Sequence, residues 1–310
     1  MTHIKTRNGK AASHFAFGTM QFGGKADKTA SAEMFDASRN SGINHFDTAY
    51  IYTDGASETI LGALAAPFRD DLLIATKVAY DGNGDPKKLQ SDFDTSLKRL
   101  AMDSVDILYL HMYVGADLRR ALEWMSTLQR NGKIRYIGLS NFAAWQVMAA
   151  AAIAKDFGTR IDIIQPMYNL VKRQAEVELL PMCADQNITC APYSPLGGGL
   201  LTGKYTTGSE GRITNDKRYS ERYSLAFMHQ SAKDLNVLAA DLCVHPATLA
   251  AAWVAHHSAQ PMPILSARSS AQLEPSLKAI DFKMDDALYA QITALSPTPP
   301  PATDRWEERS

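Results

Sequence analysis

The sequence predicts an α/β protein in which eight parallel strands close into a barrel and each strand is followed by a helix. Three observations predict this fold. Eight short apolar runs recur at intervals of roughly thirty residues, which is the length of a strand-helix unit. Turn residues bound the runs and helix-length amphipathic stretches separate them, as is typical of buried parallel strands. Seven runs end in polar residues, and a barrel brings its strand ends to one rim.

The apolar runs are the candidate strands. They are residues 15–18, 43–46, 72–76, 105–110, 134–139, 161–164, 188–192 and 262–265. The polar residues that follow are Asp47, Lys77, His111, Ser140 with Asn141, Gln165, Tyr193, and Ser266 with Arg268. An ordinary barrel core explains the apolar runs. It does not explain why chemically useful side chains occupy the exits, so the rim is the candidate site.

Helices are predicted between the strands. They cover residues 29–40, 57–65, 86–99, 117–130, 142–156, 173–186, 246–257 and 270–280. Asp85-Pro86 and Ser269-Ser270 are expected helix starts, because a short side-chain acceptor caps free N–H groups and proline suits the first turn.

The long segment between strands 7 and 8 interrupts the regular repeat. Residues 196–224 are rich in Gly, Ser, Thr, Arg and Tyr, and an extra helix is predicted over 225–242. An insertion on the reactive rim is more typical of a lid or ligand clamp than of a slack loop. The chain is predicted to be a single (β/α)8 TIM barrel domain over 1–310. Its proline-rich tail, 296–310, either wraps the surface or hangs free, and Trp306 either closes over the pocket or belongs to a disordered end.

Composition narrows the class of protein. The 310 residues carry 32 basic and 33 acidic side chains, a net charge of −1, so no nucleic-acid or membrane surface is predicted. Three cysteines, Cys183, Cys190 and Cys243, are expected to be reduced thiols. The N-terminus lacks an export signal, and no metal-ligand cluster is recognised. A soluble, cytoplasmic protein is expected.

Four ionisable residues are expected to converge on the rim, namely Asp47, Tyr52, Lys77 and His111. A lysine ammonium lowers the pKa of a neighbouring phenol, and a carboxylate can hold that lysine charged. A neutral imidazole can donate its N–H to a carbonyl oxygen. Singly, the four have ordinary explanations, such as a structural ion pair, an aromatic at the core edge or a core histidine. Jointly they predict a site that polarises and protonates a carbonyl.

The carbonyl carbon also needs a hydride, which no side chain supplies, so a nicotinamide dinucleotide is predicted. Ser140, Asn141 and Gln165 offer partners for its carboxamide, and Tyr193 offers a flat face. The glycine-rich segment 194–204 can approach a pyrophosphate, although an ordinary flexible loop also explains it. Ser266 and Arg268 lead into the last barrel helix and favour NADP(H), with NAD(H) as the alternative. The lack of Gly-x-Gly-x-x-Gly after the first strand argues against a Rossmann domain.

At these positions the chain resembles the aldo-keto reductase superfamily. The matching stretches are 46–52, 75–77, 110–111, 138–142, 165–169, 193–204 and 267–268, in the family's order. The resemblance implies Asp47, Tyr52, Lys77 and His111 as the catalytic residues, with Tyr52 as the general acid. It implies the following cofactor contacts: Ser140, Asn141, Gln165, Tyr193, Ser194, Leu196, Gly199, Lys204, Ser266, Arg268 and Gln272. The chain departs from the family pattern at 112–114, at 265–266 and at Ser276, near the expected substrate loop and adenine.

The leading functional hypothesis is therefore an NADP(H)-dependent reductase of small-molecule aldehydes or ketones. Its substrate wall is expected to include Phe22, Tyr52, Tyr80, Tyr113 and Asn141. Three alternatives stay open: oxidation of a sugar or vitamin alcohol, a cofactor-sensing subunit of a larger assembly, and an unrelated barrel hydrolase or isomerase. The substrate and the oligomeric state are not predicted.

Overall fold

The computed structural model describes residues 2–207 and 210–303. It contains eight parallel strands in the order β7-β6-β5-β4-β3-β2-β1-β8. The strands are β1 Ala16–Gly18, β2 His45–Asp47, β3 Leu73–Val78, β4 Ile107–Leu110, β5 Tyr136–Ser140, β6 Ile163–Gln165, β7 Thr189–Cys190 and β8 Ile264–Leu265. Each strand lies within one of the predicted apolar runs or extends one or two residues beyond it, so the predicted strand pattern is confirmed.

Two backbone hydrogen bonds join the edge strands and curl the sheet into a barrel. The N–H of Met262 donates to Cys190 O at 2.7 Å, and the N–H of Ile264 donates to Pro192 O at 2.9 Å. Pro192 and Pro263 have no N–H to donate, and this explains why β7 and β8 are shorter than their apolar runs. The (β/α)8 barrel prediction is confirmed.

Helices cover the outside of the sheet. They are α1 Lys28–Asn40, α2 Ala56–Ala65, α3 Pro86–Leu100, α4 Leu118–Arg130, α5 Ala144–Asp156, α6 Leu179–Gln186, α7 Arg212–Asn215, α8 Lys217–Arg222, α9 Ala226–Asp241, α10 Pro246–His256, α11 Ser270–Leu277 and α12 Asp286–Thr293. The insertion between β7 and β8 holds α7, α8 and the predicted extra helix, α9. No single helix in the described ranges has the length and apolar composition of a membrane span, and only the bent pair of α9 and α10 meets both criteria together.

Two details of the predicted helices differ from the sequence expectations. The helix α3 begins at Pro86 with Asp85 as its N-cap residue, as predicted, but the Asp85 side chain caps no N–H of that helix. Arg120 contacts that side chain instead at 3.4 Å. The helix expected from residue 173 begins at Leu179, because residues 174–176 form a separate 3-10 turn.

The helix α12 was not predicted from the sequence. It begins at the N-cap Asp285, whose carboxylate accepts the N–H of Leu288 at 2.8 Å. Tyr289 stacks on Trp253 with 5.8 Å between ring centroids, and Trp253 Nε1 donates to Thr293 Oγ1 at 2.8 Å. These long-range contacts hold a helix of only eight residues, which local propensity alone leaves marginal.

The start of the tail is held against the barrel. Arg173 is buried, pairs with Glu176 at 2.9 Å and donates to the carbonyls of Thr293 and Ser296. The rest of the tail, residues 304–310 with Trp306, lies outside the described residues.

Alternate residues of each strand face the inside of the barrel or the surrounding helices. On β3, Leu73 and Ala75 belong to the small core inside the barrel, whereas Ile74 and Val78 belong to the larger core outside it. The same alternation directs Lys77 inward, two residues beyond Ala75. The barrel is therefore apolar over most of its depth and polar where its strands end.

Asp106 organises the opposite end of the barrel. It is 0% exposed, and its Oδ2 accepts the N–H of Ile74 at 2.9 Å. Arg69 lies 2.6 Å and Arg135 3.1 Å from its carboxylate. Arg7 lies 3.9 Å away, in an N-terminal turn closed by an antiparallel bridge between Lys5 and Ala11. One buried carboxylate thus links the strands to the segment that covers the barrel floor.

Candidate active site

Lys77 is the centre of the polar cluster at the carboxyl ends of the strands. It is fully buried, and its Nζ donates to Asp47 Oδ1, to Thr48 O at 2.8 Å and to the hydroxyl of Tyr52 at 3.4 Å. Burial lowers the pKa of Lys77, but the Asp47 carboxylate and the Tyr52 phenol outweigh burial and raise it above its ordinary value. The lysine therefore stays charged beside the tyrosine hydroxyl.

The electrostatics of Tyr52 differ from the sequence expectation. Burial raises the pKa of its phenol, and the Lys77 ammonium lowers it by a smaller amount, so the net shift is upward. The lysine alone would lower the pKa, as expected from the sequence, but removing a phenolate from water costs more free energy than the ammonium returns. Tyr52 is accordingly a protonated phenol at neutral pH, and the Lys77 ammonium lies beside its hydroxyl.

His111 lies next to the tyrosine with a neutral ring. Its imidazole meets the Tyr52 ring edge to face at 5.9 Å and the Tyr80 ring at 5.0 Å. Burial, assisted by Lys77, lowers the pKa of His111 to about 2. Its Nδ1 is buried and has no hydrogen-bond partner among the described residues. The structure thus brings together all four residues expected to be catalytic.

The residues expected to hold the nicotinamide form one hydrogen-bonded chain. Gln165 Nε2 donates to Asp47 Oδ2 at 3.0 Å, and Ser140 Oγ donates to Gln165 O at 3.0 Å. Asn141 Nδ2 donates to Ser140 Oγ and to His111 O, and the Tyr193 hydroxyl donates to Asn141 Oδ1 at 2.8 Å. The side chains at the ends of β5 and β6 are thus coupled directly to the Lys77 cluster.

The glycine-rich segment forms a tight, left-handed loop. Gly197, Gly198 and Gly199 have φ values of 57°, 66° and 94°, a region that favours glycine. A Cβ on Gly199 would lie 3.0 Å from Lys204 Cε, so the missing side chain lets Lys204 fold over the loop. The N–H of Gly199 donates to Leu196 O at 3.0 Å, and Ser194 O accepts the N–H of Gly197 at 2.9 Å. These two N–H groups therefore serve the loop itself.

The residues expected at the adenosine end lie before and within α11. Ser266 Oγ is buried and finds no partner within residues 2–207 and 210–303. Arg268 follows two residues later, and Ser269 caps the helix by accepting the N–H of Gln272 at 3.4 Å. An acid lies close by, because Ser270 Oγ donates to Glu33 Oε2 at 3.2 Å.

One residue expected in the substrate wall lies in the hydrophobic core instead. Phe22 is 0% exposed and packs on Phe17 with 5.8 Å between ring centroids, so it belongs to the core and faces no open cavity. From the sequence alone, an aromatic residue in a loop after a strand is expected to line the pocket. Only its burial in the structure shows that it belongs to the core. Tyr80 is 47% exposed, and the ring of Tyr113 lies 5.4 Å from that of Phe142.

Sequence reasoning missed the pair that supports the Tyr52 loop. Thr53 and Asp54 have φ values of 46° and 53°, a left-handed conformation that costs about 1–2 kcal/mol per residue. Arg99 of α3 donates to Tyr50 O at 2.8 Å and to Glu58 Oε2 at 3.2 Å, and Glu58 is fully buried. A Cβ on Gly55 would lie 2.3 Å from Arg99 Nε, so that glycine admits the arginine. The sequence held one indication of this support, a charged residue in the last turn of a predicted helix. Charged residues are common there, so the sequence alone could not single out Arg99.

Comparisons with known proteins identify the family of this chain. A model described as the Aldo/keto reductase family matches residues 14–297. The chain is 31% identical to "Uncharacterized oxidoreductase YrpG" of Bacillus subtilis (strain 168), covering 94% of this chain and 95% of that protein. It is 34% identical to "Aflatoxin B1 aldehyde reductase member 2" of Rattus norvegicus, over 85% and 79% respectively. It is also 30% identical to "Probable voltage-gated potassium channel subunit beta" of Oryza sativa subsp. japonica, over 89% of each chain.

Proposed function

This chain belongs to the aldo/keto reductase family, and we propose that it reduces small-molecule aldehydes or ketones to alcohols with NADP(H). The observation that carries the proposal is the arrangement of a protonated phenol, a buried ammonium and a neutral imidazole at one opening of the barrel. The test is a spectrophotometric screen of aldehydes, diketones, sugars and pyridine aldehydes, with NADPH and NADH compared at equal concentration. Failure of every carbonyl to oxidise either cofactor would contradict the proposal.

The residues expected to hold the cofactor have side chains whose chemistry is compatible with NADP(H). Ser140, Asn141, Gln165 and Tyr193 would hold the nicotinamide, and the loop with Ser194, Leu196, Gly199 and Lys204 would lie along the pyrophosphate. Ser266, Arg268 and Gln272 would hold the adenosine end. The orphaned buried hydroxyl of Ser266 supports this assignment, because a buried polar atom without a partner is costly unless a ligand or water satisfies it. Bound there, the dihydronicotinamide supplies the hydride.

The chain's own residues would perform the proton transfer. His111 and Tyr52 would orient the carbonyl oxygen, and Tyr52 would give it a proton as negative charge develops there. Lys77 would stabilise the resulting phenolate through the hydrogen bond that it already makes to the hydroxyl. Asp47 keeps Lys77 charged and aimed. A phenol that is protonated at rest suits the proton donor of reduction, but the same group would act as the base in oxidation of a sugar or vitamin alcohol. Initial rates in both directions at cellular cofactor ratios decide between the two.

Replacing Arg268 with glutamine is expected to weaken NADPH binding by about 10- to 100-fold while changing NADH binding little, because only NADPH has a 2′-phosphate for the guanidinium to bind. Fluorescence titration of both cofactors measures this without turnover. Arg119→Gln, a change at an exposed arginine of α4, is the matched control. Equal losses for both cofactors would show that Arg268 does not read the phosphate.

Replacing Arg99 with methionine is expected to lower kcat by about ten- to a hundredfold with little change in NADPH affinity, because the strained loop that carries Tyr52 loses its support. Steady-state kinetics and cofactor titration separate the two effects. Arg99→Lys should restore part of kcat, and Lys98→Met, at an exposed position of the same helix, should leave it unchanged. An unchanged kcat in Arg99→Met would refute the positioning role.

A second candidate function is a cofactor-sensing subunit, and the relative named as a probable potassium channel β subunit favours it. The two functions differ in a measurable way. A sensing subunit would bind NADPH and a partner stably while turning over none of a broad carbonyl panel. The complete set of Asp47, Tyr52, Lys77 and His111 supports the enzyme instead.

A further inference from the structure

Exposed apolar side chains are concentrated on one side of the candidate active site. Among the described residues, eight large hydrophobic side chains are exposed. Five of them lie on the segments that follow four adjacent strands, β2 to β5: Ile51, Tyr80, Met112, Trp145 and Met148. Single exposed apolar residues are ordinary on a protein surface, but a group beside a catalytic opening marks a binding surface.

Two groups of aromatic rings lie beside His111, one in direct contact with it and one on the segments that follow His111 and Asn141, whose side-chain amide donates to His111 O at 3.0 Å. Tyr80 touches the His111 ring at 5.0 Å. Tyr113, two residues beyond His111, meets Phe142 at 5.4 Å and Trp145 at 6.0 Å, both edge to face. We call Tyr80, Met112, Tyr113 and Trp145 the apolar shelf. The shelf begins at His111, where a carbonyl would react, and ends at Trp145 on α5.

Trp145 is the most exposed member of the apolar shelf. It is 66% exposed, and Met148, one helical turn further on, is exposed beside it. The exposed indole offers a large flat surface at low conformational cost, as aromatic residues do in ligand sites. Nothing in the sequence of α5 signals this role, because alanine-rich helices often include one large apolar residue.

We propose that the apolar shelf binds the body of an extended, flat aromatic aldehyde, with Trp145 as its outer wall. The inference rests on the proposed reductase function and defines its substrate class. Continuity with His111 favours a substrate over a second copy of the chain, because a protein seated on Tyr80 would cover the opening beside the histidine. Small aldehydes would reach the catalytic residues without touching Trp145, whereas extended ones would lie against it.

The test compares two aldehydes with the same reacting group, benzaldehyde and biphenyl-4-carboxaldehyde. Trp145→Ala is expected to lower kcat/KM for the biphenyl compound by about tenfold, through KM, and to leave benzaldehyde nearly unchanged. Trp145→Phe should restore most of the loss. Val237→Ala, at an exposed apolar position of α9 outside the shelf, is the matched control. Equal losses for both aldehydes, or no loss for either, would overturn the proposal.

A binding measurement keeps the shelf separate from the reductase proposal. Calorimetric titration with biphenyl-4-carboxamide, which is not reduced, should show about tenfold weaker binding to Trp145→Ala than to the unaltered protein. If neither aldehyde is turned over but this difference is found, the reductase proposal fails and the shelf stands. If Trp145→Ala binds the amide normally, or converts a dimer to a monomer in sedimentation, the shelf as a substrate site is overturned.

Discussion

Tyr52→Phe is expected to lower kcat for carbonyl reduction by about 10²- to 10⁴-fold while NADPH binds nearly as before, because the change removes the proton donor and not a cofactor contact. The Tyr52 hydroxyl accepts a hydrogen bond from Lys77. Because Lys77 also donates to Asp47 and to Thr48 O, we expect the lysine to keep its position in the variant. The measurements are steady-state kinetics and fluorescence titration of NADPH. Wild-type turnover in this variant would make the assignment of Tyr52 wrong.

The pH profile gives an independent check on the same residue. Because burial raises the pKa of Tyr52 despite Lys77, the phenol keeps its proton through neutral pH. Reduction by the unaltered protein should therefore be flat near neutrality and fall only on the alkaline side, where the donor is lost. The low pKa of His111, about 2, predicts no acid limb from that ring. A rate that falls as pH rises through 6–7 would contradict this account.

Asp106→Ala is expected to reduce the free energy of unfolding by about 3 kcal/mol, because it leaves two half-buried guanidinium groups and a buried strand N–H without their acceptor. Arg69 and Arg135 both pair with this fully buried carboxylate, and Ile74 N–H donates to it. Burial lowers the pKa of Arg69, and Asp106 works against that shift. The measurement is urea unfolding followed by far-ultraviolet circular dichroism.

Two further variants make the stability prediction specific. Asp106→Asn keeps an acceptor for Ile74 N–H and should fall between the alanine variant and the unaltered protein. Asp71→Ala, which removes an exposed carboxylate paired with Lys10 at 2.8 Å, should change stability little, because solvent screens surface pairs. If the two alanine variants were equally stable, the proposed role of Asp106 in holding the barrel floor would be refuted.

The positions of Asp47, Lys77, His111 and Gln165 could be predicted because they depend on local pattern alone. Each follows a buried run of known period, and parallel strands bring their carboxyl ends to one rim whatever the loops do. The same reasoning failed for Phe22, whose burial depends on Phe17 and on how the first loop folds back. It also failed for α12, which Trp253 holds from a distant part of the chain.

The amino-acid sequence by itself determined the barrel, the order of its strands and the side chains at their ends, since hydrophobic period and turn residues act over short distances. Only the tertiary structure decided how those side chains behave. The net direction of the Tyr52 pKa, the support of its loop by Arg99 and Glu58, and the exposure of Trp145 beside the opening all depend on distances between segments far apart in the chain. Burial and charge are properties of such distances, and no local pattern contains them.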